Sequence, residues 1–353
     1  MMFFTKKIKP SMEIEIFEQA EILKNLFNIH VDDNNFIQFD IPNNIEKIVL
    51  VASGSSYHCA RYAADLFGDI ANIEARAIYS SEFLLQTTIP YDEKTLYIFV
   101  TQSGETTDTN KALARAKEYG VSTLCITNKK DSTIWQAADY KIDCHAGEEK
   151  SIAATKSLTT QMLCLTLLVL KFATLRGIEV YEYLSQLRTL SNMVEKTYGL
   201  QPEIKKLAKF LSKHKDIVVT ADGIFSPLAK EVALKIKETS YVHTTAMILG
   251  EFMHGHVAIL SNKMPLIYIT GNQLGYTTIK NINKIKEDFN PQICIIGNSN
   301  DKIKTDFHIN IDCEFEIVKS FCITIIAQIL ALEIAKYLKK NVDKPKGLQK
   351  VVI

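Results

Sequence analysis

Short apolar runs recur along the chain between helical stretches, and their spacing predicts an α/β protein. Lys47–Ala52 (KIVLVA), Ala75–Tyr79, Thr95–Val100 (TLYIFV), Ser122–Thr127 and Tyr140–Cys144 read as strands. Helical patterns separate them: one from Tyr57 to about Ile70, another over Asn110–Tyr119, where Ala112, Leu113 and Ala116 share a face. Such alternation implies a parallel sheet covered by helices on both faces. A second round starts at Asp216–Thr220 (DIVVT) and continues through Leu266–Thr270, Gln292–Gly297 and Phe307–Ile311. The same grammar therefore occurs twice, in halves of about 150 residues, near the usual domain size. Their literal sequences share little.

The remaining segments frame these halves. Met12–Phe27 predicts one lead-in helix, and Asp32–Asn35 breaks the chain after it. Glu149–Gln161 opens a long helix, and Gly177–Tyr198 reads as a helical connector. The two most apolar stretches are Met162–Leu170, too short to span a bilayer, and Phe321–Ala335, which carries Gln328 and Glu333; both read as core helices. Glu314–Leu338 is the last helix. The tail Asn341–Ile353 is held irregular by Pro345 and Gly347. The expected organisation is a lead-in segment over 1–40, domains over 41–190 and 200–340, and a tail over 341–353.

Composition removes several function classes. With 41 basic and 40 acidic residues, the chain carries no electrostatic footprint for nucleic acid or an acidic membrane. MMFFTKKIKPSMEIE lacks the apolar core and cleavage site of a secretory signal. Seven cysteines without a CxxC pair fit a reducing, cytoplasmic compartment. No GxSxG elbow or GxxxxGK[ST] loop is present. His254 and His256 lack a third partner at metal-ligand spacing, so neither metal nor cofactor is expected.

Candidate chemistry gathers in two places. In Val100–Thr109 (VTQSGETTDT), Thr101, Gln102, Ser103 and Thr106 crowd a strand-to-helix turn around Gly104. A helix N-terminus offers unpaired N–H groups and partial positive charge, so this turn suits a phosphate carried by a small molecule. An ordinary N-cap uses the same residue types, and the residues alone leave both readings open. The turns at Ser53–Ser56 and Ala153–Ser157 repeat the pattern. Ligands of open parallel sheets gather beyond the strands' carboxyl ends, so all three turns are expected to converge.

In the second half, Glu231, Lys235 and Glu238 lie at i, i+4 and i+7 on the helix Ser226–Ser240 and share a face. The helix C-terminus disfavours negative charge at Glu238, which suits a carboxyl that takes up and releases a proton. An exposed ion pair of small energetic consequence is the competing reading. His254, flanked by glycine in GEFMHG, suits acid–base work near neutral pH.

Taken in order, MEIEIFEQ, VASGSSYHCA, VTQSGETTDT, GEEKSIAATKSLTTQ, ALKIKETSYVH, GEFMHG and DKPKGLQKVV resemble the SIS (sugar isomerase) family. The likeness is to the isomerase part of glucosamine-6-phosphate synthase and to stand-alone amino-sugar-phosphate deaminases, and it covers nearly the whole chain. It implies two flavodoxin-like, three-layer αβα domains with parallel sheets and an irregular C-terminal tail. It also implies a homodimer with shared active sites and a phosphorylated sugar or amino sugar as ligand.

Carried across position by position, Ser56, Thr101, Gln102, Ser103 and Thr106 match phosphate-binding positions, with Ser53, Gly54 and Ser55 in the same turn. Ala153 and Ala154 match a loop that approaches the sugar, Ala154 replacing a serine common in the synthase. Glu238 matches the base that moves a proton between C1 and C2, with Lys235 and Glu231 in its supporting network. His254 matches the ring-opening histidine given by the neighbouring subunit. Gln349 and Lys350 match the tail segment over the sugar, where the lysine forms a Schiff base with the ketose.

The chain opens on MMFF without a glutaminase-like segment, and EKSIAATKS with KETS looks closest to the deaminases. The resemblance therefore implies glucosamine-6-phosphate + water ⇌ fructose-6-phosphate + ammonia. A deglycase, a plain aldose–ketose isomerase, an ammonia-using synthase and a non-catalytic sugar-phosphate sensor are the alternatives. Met253 and His256 replace a lysine and a proline of the family's GELKHGP, and Thr245 replaces an acidic residue. These departures bear on substrate identity.

Overall fold

The computed structural model describes residues 9–90, 92–299 and 301–351. The opening MMFFTKKI and the last two tail residues lie outside that description. The chain enters through α1 (Ser11–Phe17) and α2 (Gln19–His30). The single lead-in helix expected over Met12–Phe27 is thus two, broken at Glu18, and the second runs on to His30.

The first αβα unit comprises β1 (Lys47–Ala52), α3 (Gly54–Asp69), β2 (Glu74–Tyr79), α4 (Ser80–Leu85), β3 (Thr95–Val100) and α5 (Thr107–Glu118). It continues through β4 (Ser122–Thr127), α6 (Thr133–Ala137), β5 (Tyr140–Asp143) and α7 (Lys156–Leu175). Three helices connect the units: α8 (Tyr181–Arg188), α9 (Leu190–Tyr198) and α10 (Gln201–Leu211). The second unit has β6 (Asp216–Ala221), α11 (Ser226–Ser240), β7 (His243–Ile248), α12 (Leu249–Phe252) and β8 (Pro265–Ile269). It ends with α13 (Tyr276–Phe289), β9 (Gln292–Ile296), β10 (Phe307–Ile309) and α14 (Glu316–Tyr337).

Both five-stranded sheets are parallel and share one topology. Their orders are β2-β1-β3-β4-β5 and β7-β6-β8-β9-β10, the flavodoxin-like 2-1-3-4-5 arrangement in each case. The duplication faint in the sequence is plain in the strand order. β7 was not legible as a strand. Its sequence HTTAMI carries hydroxyls and runs along a half-exposed sheet edge, so it lacks the apolar run that marks a two-faced strand.

Alternate strand residues feed different cores. Ile48, Leu50 and Ala52 join a central core shared with α3, α7, α11 and α14, whereas Val49 and Val51 face a smaller outer core. In the second sheet Ile217, Val219 and Ala221 turn inward and Val218 outward. Burial on both faces is why these strands read as continuous apolar runs. α7 and α14, each long and apolar enough to cross a membrane, are buried inside the fold as core helices. All seven cysteines are buried and unpaired. The two units meet where α3 packs on α11, each the helix that follows the first strand of its sheet.

Candidate active site

β1 and β3 are the neighbours at which the first sheet's order reverses, so the turns leaving them flank a crevice. After β1 the chain passes Ser53 into Gly54 at φ +56°, and α3 starts there. After β3 it passes Thr101, Gln102 and Ser103 into Gly104 at φ +69°. Ser53 and Thr106 stand at the N-cap positions of α3 and α5, yet neither side chain caps its helix. Thr106 instead sets its Oγ1 3.0 Å from Thr101 Oγ1. The hydroxyls are therefore not consumed as caps, which favours the cradle over the capping reading.

Gly104 is required by more than its φ. A Cβ there would lie 2.0 Å from Ser132 Oγ and 2.3 Å from Ser132 Cβ, so a side-chain rotation cannot relieve the clash. Gly104→Ala is expected to destabilise the protein by about 2–4 kcal/mol, combining left-handed strain with overpacking. A urea titration would read this as a lower midpoint at unchanged slope.

The third turn behaves differently. The N-terminus of α7 is occupied by the chain's own carboxylate: Glu149 accepts hydrogen bonds from Thr155 N (2.9 Å), Ser157 N (3.0 Å) and Ser157 Oγ (2.7 Å). Lys350 Nζ, reaching in from the tail, donates to Glu149 Oε2 at 2.5 Å and to Ser151 O at 2.7 Å. Burial alone would push the Glu149 carboxyl up, but Lys350 and the Ser157 donors hold it below the ordinary range. All three turns reach one cavity, as expected, but the third has its helix N-terminus occupied by Glu149, so two helix N-termini are left for an anion. The Ala153 side chain lies in the core, and Ile152 and Ala154 on either side line the cavity.

α1 and the tail brace this loop. Glu15 of α1 accepts from Ser151 Oγ at 2.5 Å and from Ser151 N at 3.2 Å. Asp343 accepts the exposed N–H groups of Ser11 (2.8 Å) and Met12 (2.9 Å), supplying the cap that Pro10 cannot. Farther along, Lys346 N donates to Tyr241 Oη at 2.6 Å. The tail is therefore tied down at three points, and Gly347 to Lys350 form one wall of a cavity of about 440 Å³.

That cavity gathers most of the residues singled out in the sequence. Ser53, Gly54, Ser55, Ser56, Thr101, Gln102, Ser103, Thr106, Ala154, Gln349, Lys350 and Glu238 all line it. Hydroxyls, an amide and two helix N-termini make up much of its lining. Glu238 and Lys350 contribute the charged groups.

Glu238 belongs to a buried chain of charges on α11. Lys235, wholly buried, places Nζ 2.6 Å from Glu238 Oε2 and 3.5 Å from Glu231 Oε1. Burial works against the ammonium, but Glu238 and Glu231 outweigh it and hold the Lys235 amine well above the ordinary lysine range. Glu231, 2% exposed, also accepts from Ser55 Oγ at 3.0 Å and from His58 Nδ1 at 2.6 Å. Burial would raise its carboxyl, yet Lys235, His58 and Ser55 keep it below the ordinary range. The exposed ion-pair reading of this face is thereby excluded by geometry.

His254 stands apart. It is exposed on the turn after α12 and does not line the cavity of its own chain. Glu149, His58, Glu15 and Asp343 were not singled out from sequence. Glu149 sits beside an equivalent-looking Glu148, which is exposed, and nothing local distinguishes the two.

The SIS domain family model matches this chain twice, over residues 43–171 and 210–336. The glutamine–fructose-6-phosphate aminotransferase (isomerizing) of Campylobacter jejuni is 34% identical over 352 residues, covering 97% of this chain and 58% of the relative. Its Thermococcus kodakarensis counterpart is 32% identical over 345 residues, covering 96% and 57%. The chain thus spans somewhat over half the length of these curated relatives. Among solved structures, the C-terminal domain of glucosamine-fructose-6-phosphate aminotransferase from Francisella tularensis superposes with a TM-score of 0.89 at 25% identity, covering 96% of this chain and 99% of that one. A glucosamine-6-phosphate deaminase from Thermotoga maritima shares the fold, with a TM-score of 0.78 at 22% identity, covering 97% and 99%.

Proposed function

This chain belongs to the SIS-domain family, and on that premise we propose that it converts glucosamine-6-phosphate and water into fructose-6-phosphate and ammonia, reversibly. The observation that carries the reading is the lining of one cavity: uncharged hydroxyls and an amide on two strand-to-helix turns, together with Glu238 and Lys350. The cradle suits a phosphate at the inert end of an open-chain sugar. Glu238 takes the proton from C2 of the aldehyde form and returns it to C1, while a second proton passes from the amine nitrogen to O1, giving a ketone-level imine at C2. Water adds to that imine and ammonia leaves, so atoms and charge balance. Lys350, in the lining of the same cavity, serves the carbonyl in this reading, either as hydrogen-bond donor or as a reversible imine partner. In the structure its ammonium is held by Glu149, which keeps it against the cavity wall.

Ring opening precedes these steps and needs an acid–base group near the ring oxygen. His254 fills that role from a second copy of the chain, because it is exposed and away from its own cavity. This reading requires a homodimer with shared sites.

A second reading runs the same chemistry toward the amino sugar. The curated relatives quoted above are named as aminotransferases acting on fructose-6-phosphate, so net synthesis from fructose-6-phosphate is favoured when ammonia is supplied. One experiment separates the readings. Purified protein with glucosamine-6-phosphate is expected to release ammonia and fructose-6-phosphate in equal amounts. Ammonia-dependent consumption of fructose-6-phosphate without the forward reaction would favour synthesis. Ketose formation from an aldose phosphate, without ammonia, would replace both with a plain isomerase. Tight binding without turnover would reduce the protein to a sensor.

A further inference from the structure

The base network on α11 is held from outside its own domain. His58, on the second turn of α3, is 8% exposed and sets Nδ1 2.6 Å from Glu231 Oε2. A carboxylate only accepts hydrogen bonds, so Nδ1 carries the proton in this pair whatever the charge of the ring. Ser55, one turn earlier on α3, donates to the other carboxylate oxygen at 3.0 Å. Helix α3 of the first unit thus satisfies both oxygens of Glu231 in the second. Lys235 is left shared unequally: 3.5 Å from Glu231 but 2.6 Å from Glu238.

We propose that His58 is a positioning residue for the proton-transferring carboxylate: its N–H to Glu231 keeps the Lys235 ammonium committed to Glu238. The inference rests on the proton-transfer reading of Glu238. Without the His58 donor, Glu231 is a stronger competitor for the ammonium, and Lys235 moves toward it. Glu238 then loses part of its stabilisation as an anion and binds its proton more tightly. The acid limb of the rate profile, which requires ionised Glu238, moves to higher pH.

The charged surroundings of His58 do not supply this effect by another route. From α11 it bonds Glu231, which Lys235 reaches at 3.5 Å, and it shares a surface pocket with Lys230 and Lys237 of that helix, Tyr79 of β2, and Thr245 and Ala246 of β7. On its own helix Tyr57 packs edge-on at 6.1 Å between ring centroids, and Arg61 is committed to Asp65. Glu231 is the acidic partner that His58 bonds, so the coupling passes through that carboxylate.

The test compares His58→Phe, which keeps a ring and removes the donor, with His58→Asn, whose amide N–H can occupy the place of Nδ1–H. His58→Phe is expected to raise the acid limb of kcat by about one pH unit, a tenfold lower rate well below it, while His58→Asn restores the wild-type limb. The same shift is expected in a carbon-13 titration of the Glu238 carboxyl, assigned by its loss in Glu238→Gln. An unshifted limb in His58→Phe, or equal shifts in both variants, overturns the proposal. Wild-type protein that turns over no sugar phosphate would instead overturn the catalytic reading. The carboxyl titration would still decide whether His58 acts on Glu238.

Discussion

Glu238→Gln is expected to slow hydrogen exchange between solvent and C1 or C2 of the sugar phosphate by about a thousandfold, the usual scale of one general base. The amide keeps the volume of the carboxyl and still accepts from Lys235 Nζ, which lies 2.6 Å from Glu238 Oε2 in the native protein. Ligand affinity should therefore change little, because the cradle of Thr101, Ser103 and Thr106 is untouched. Exchange in deuterated buffer, followed by NMR beside a binding isotherm, separates the two effects. A loss below about tenfold would remove Glu238 from the proton path, since one positioned base contributes at least a hundredfold.

Lys235→Met should be the most damaging single change to stability. Methionine fills the space, but Glu231 then sits buried with its nearest compensating cation gone, while Glu238 loses its 2.6 Å partner. Breaking a buried ion pair from one side costs about 3–5 kcal/mol, which for a chain of this length corresponds to a melting temperature lower by about 4–7 °C. The pH dependence carries a definite sign. In the native protein Glu231 is held below its ordinary value of 4.5, so its stabilising contribution is present above that value and lost as pH falls through the folded-state value. In Lys235→Met burial prevails and the carboxyl is raised, so its contribution is present at low pH and lost as pH rises. The stability gap between the two proteins should be widest near neutrality and shrink below about pH 4.5. An equal gap at both ends would mean that packing, not charge, accounts for the loss.

Different parts of this molecule were legible in the chain to different degrees. The interior strands KIVLVA and TLYIFV announced themselves because both faces are buried, and VTQSGETTDT showed its polar turn because four hydroxyl or amide groups follow one strand. The edge strand HTTAMI was silent, since a half-exposed strand tolerates threonine. The Glu231, Lys235 and Glu238 face is readable from helical spacing, and Val232, Leu234 and Ile236 around it suggest a largely buried helix, but spacing by itself does not separate a buried network from a surface pair. The same spacing on a solvated helix would be an ordinary surface ion pair.

By itself the sequence determined the local grammar: which runs form strands, where strand passes into helix through small hydroxyl residues, and which side chains share one face of α11. These are properties of neighbours in the chain, set by a period of 2 or 3.6 and by the chemistry of a helix end. Tertiary structure decided which of these pieces meet. It brought α3 against α11, so that His58 and Ser55 hold Glu231 from 173 and 176 residues away in sequence. It carried Lys350 to Glu149 across 201 residues. It gave the N-terminus of α7 to Glu149, leaving the helix N-termini after β1 and β3 for an anion. Partners so distant leave no periodic trace, because the energy that joins them comes from burial and pairing in the folded state.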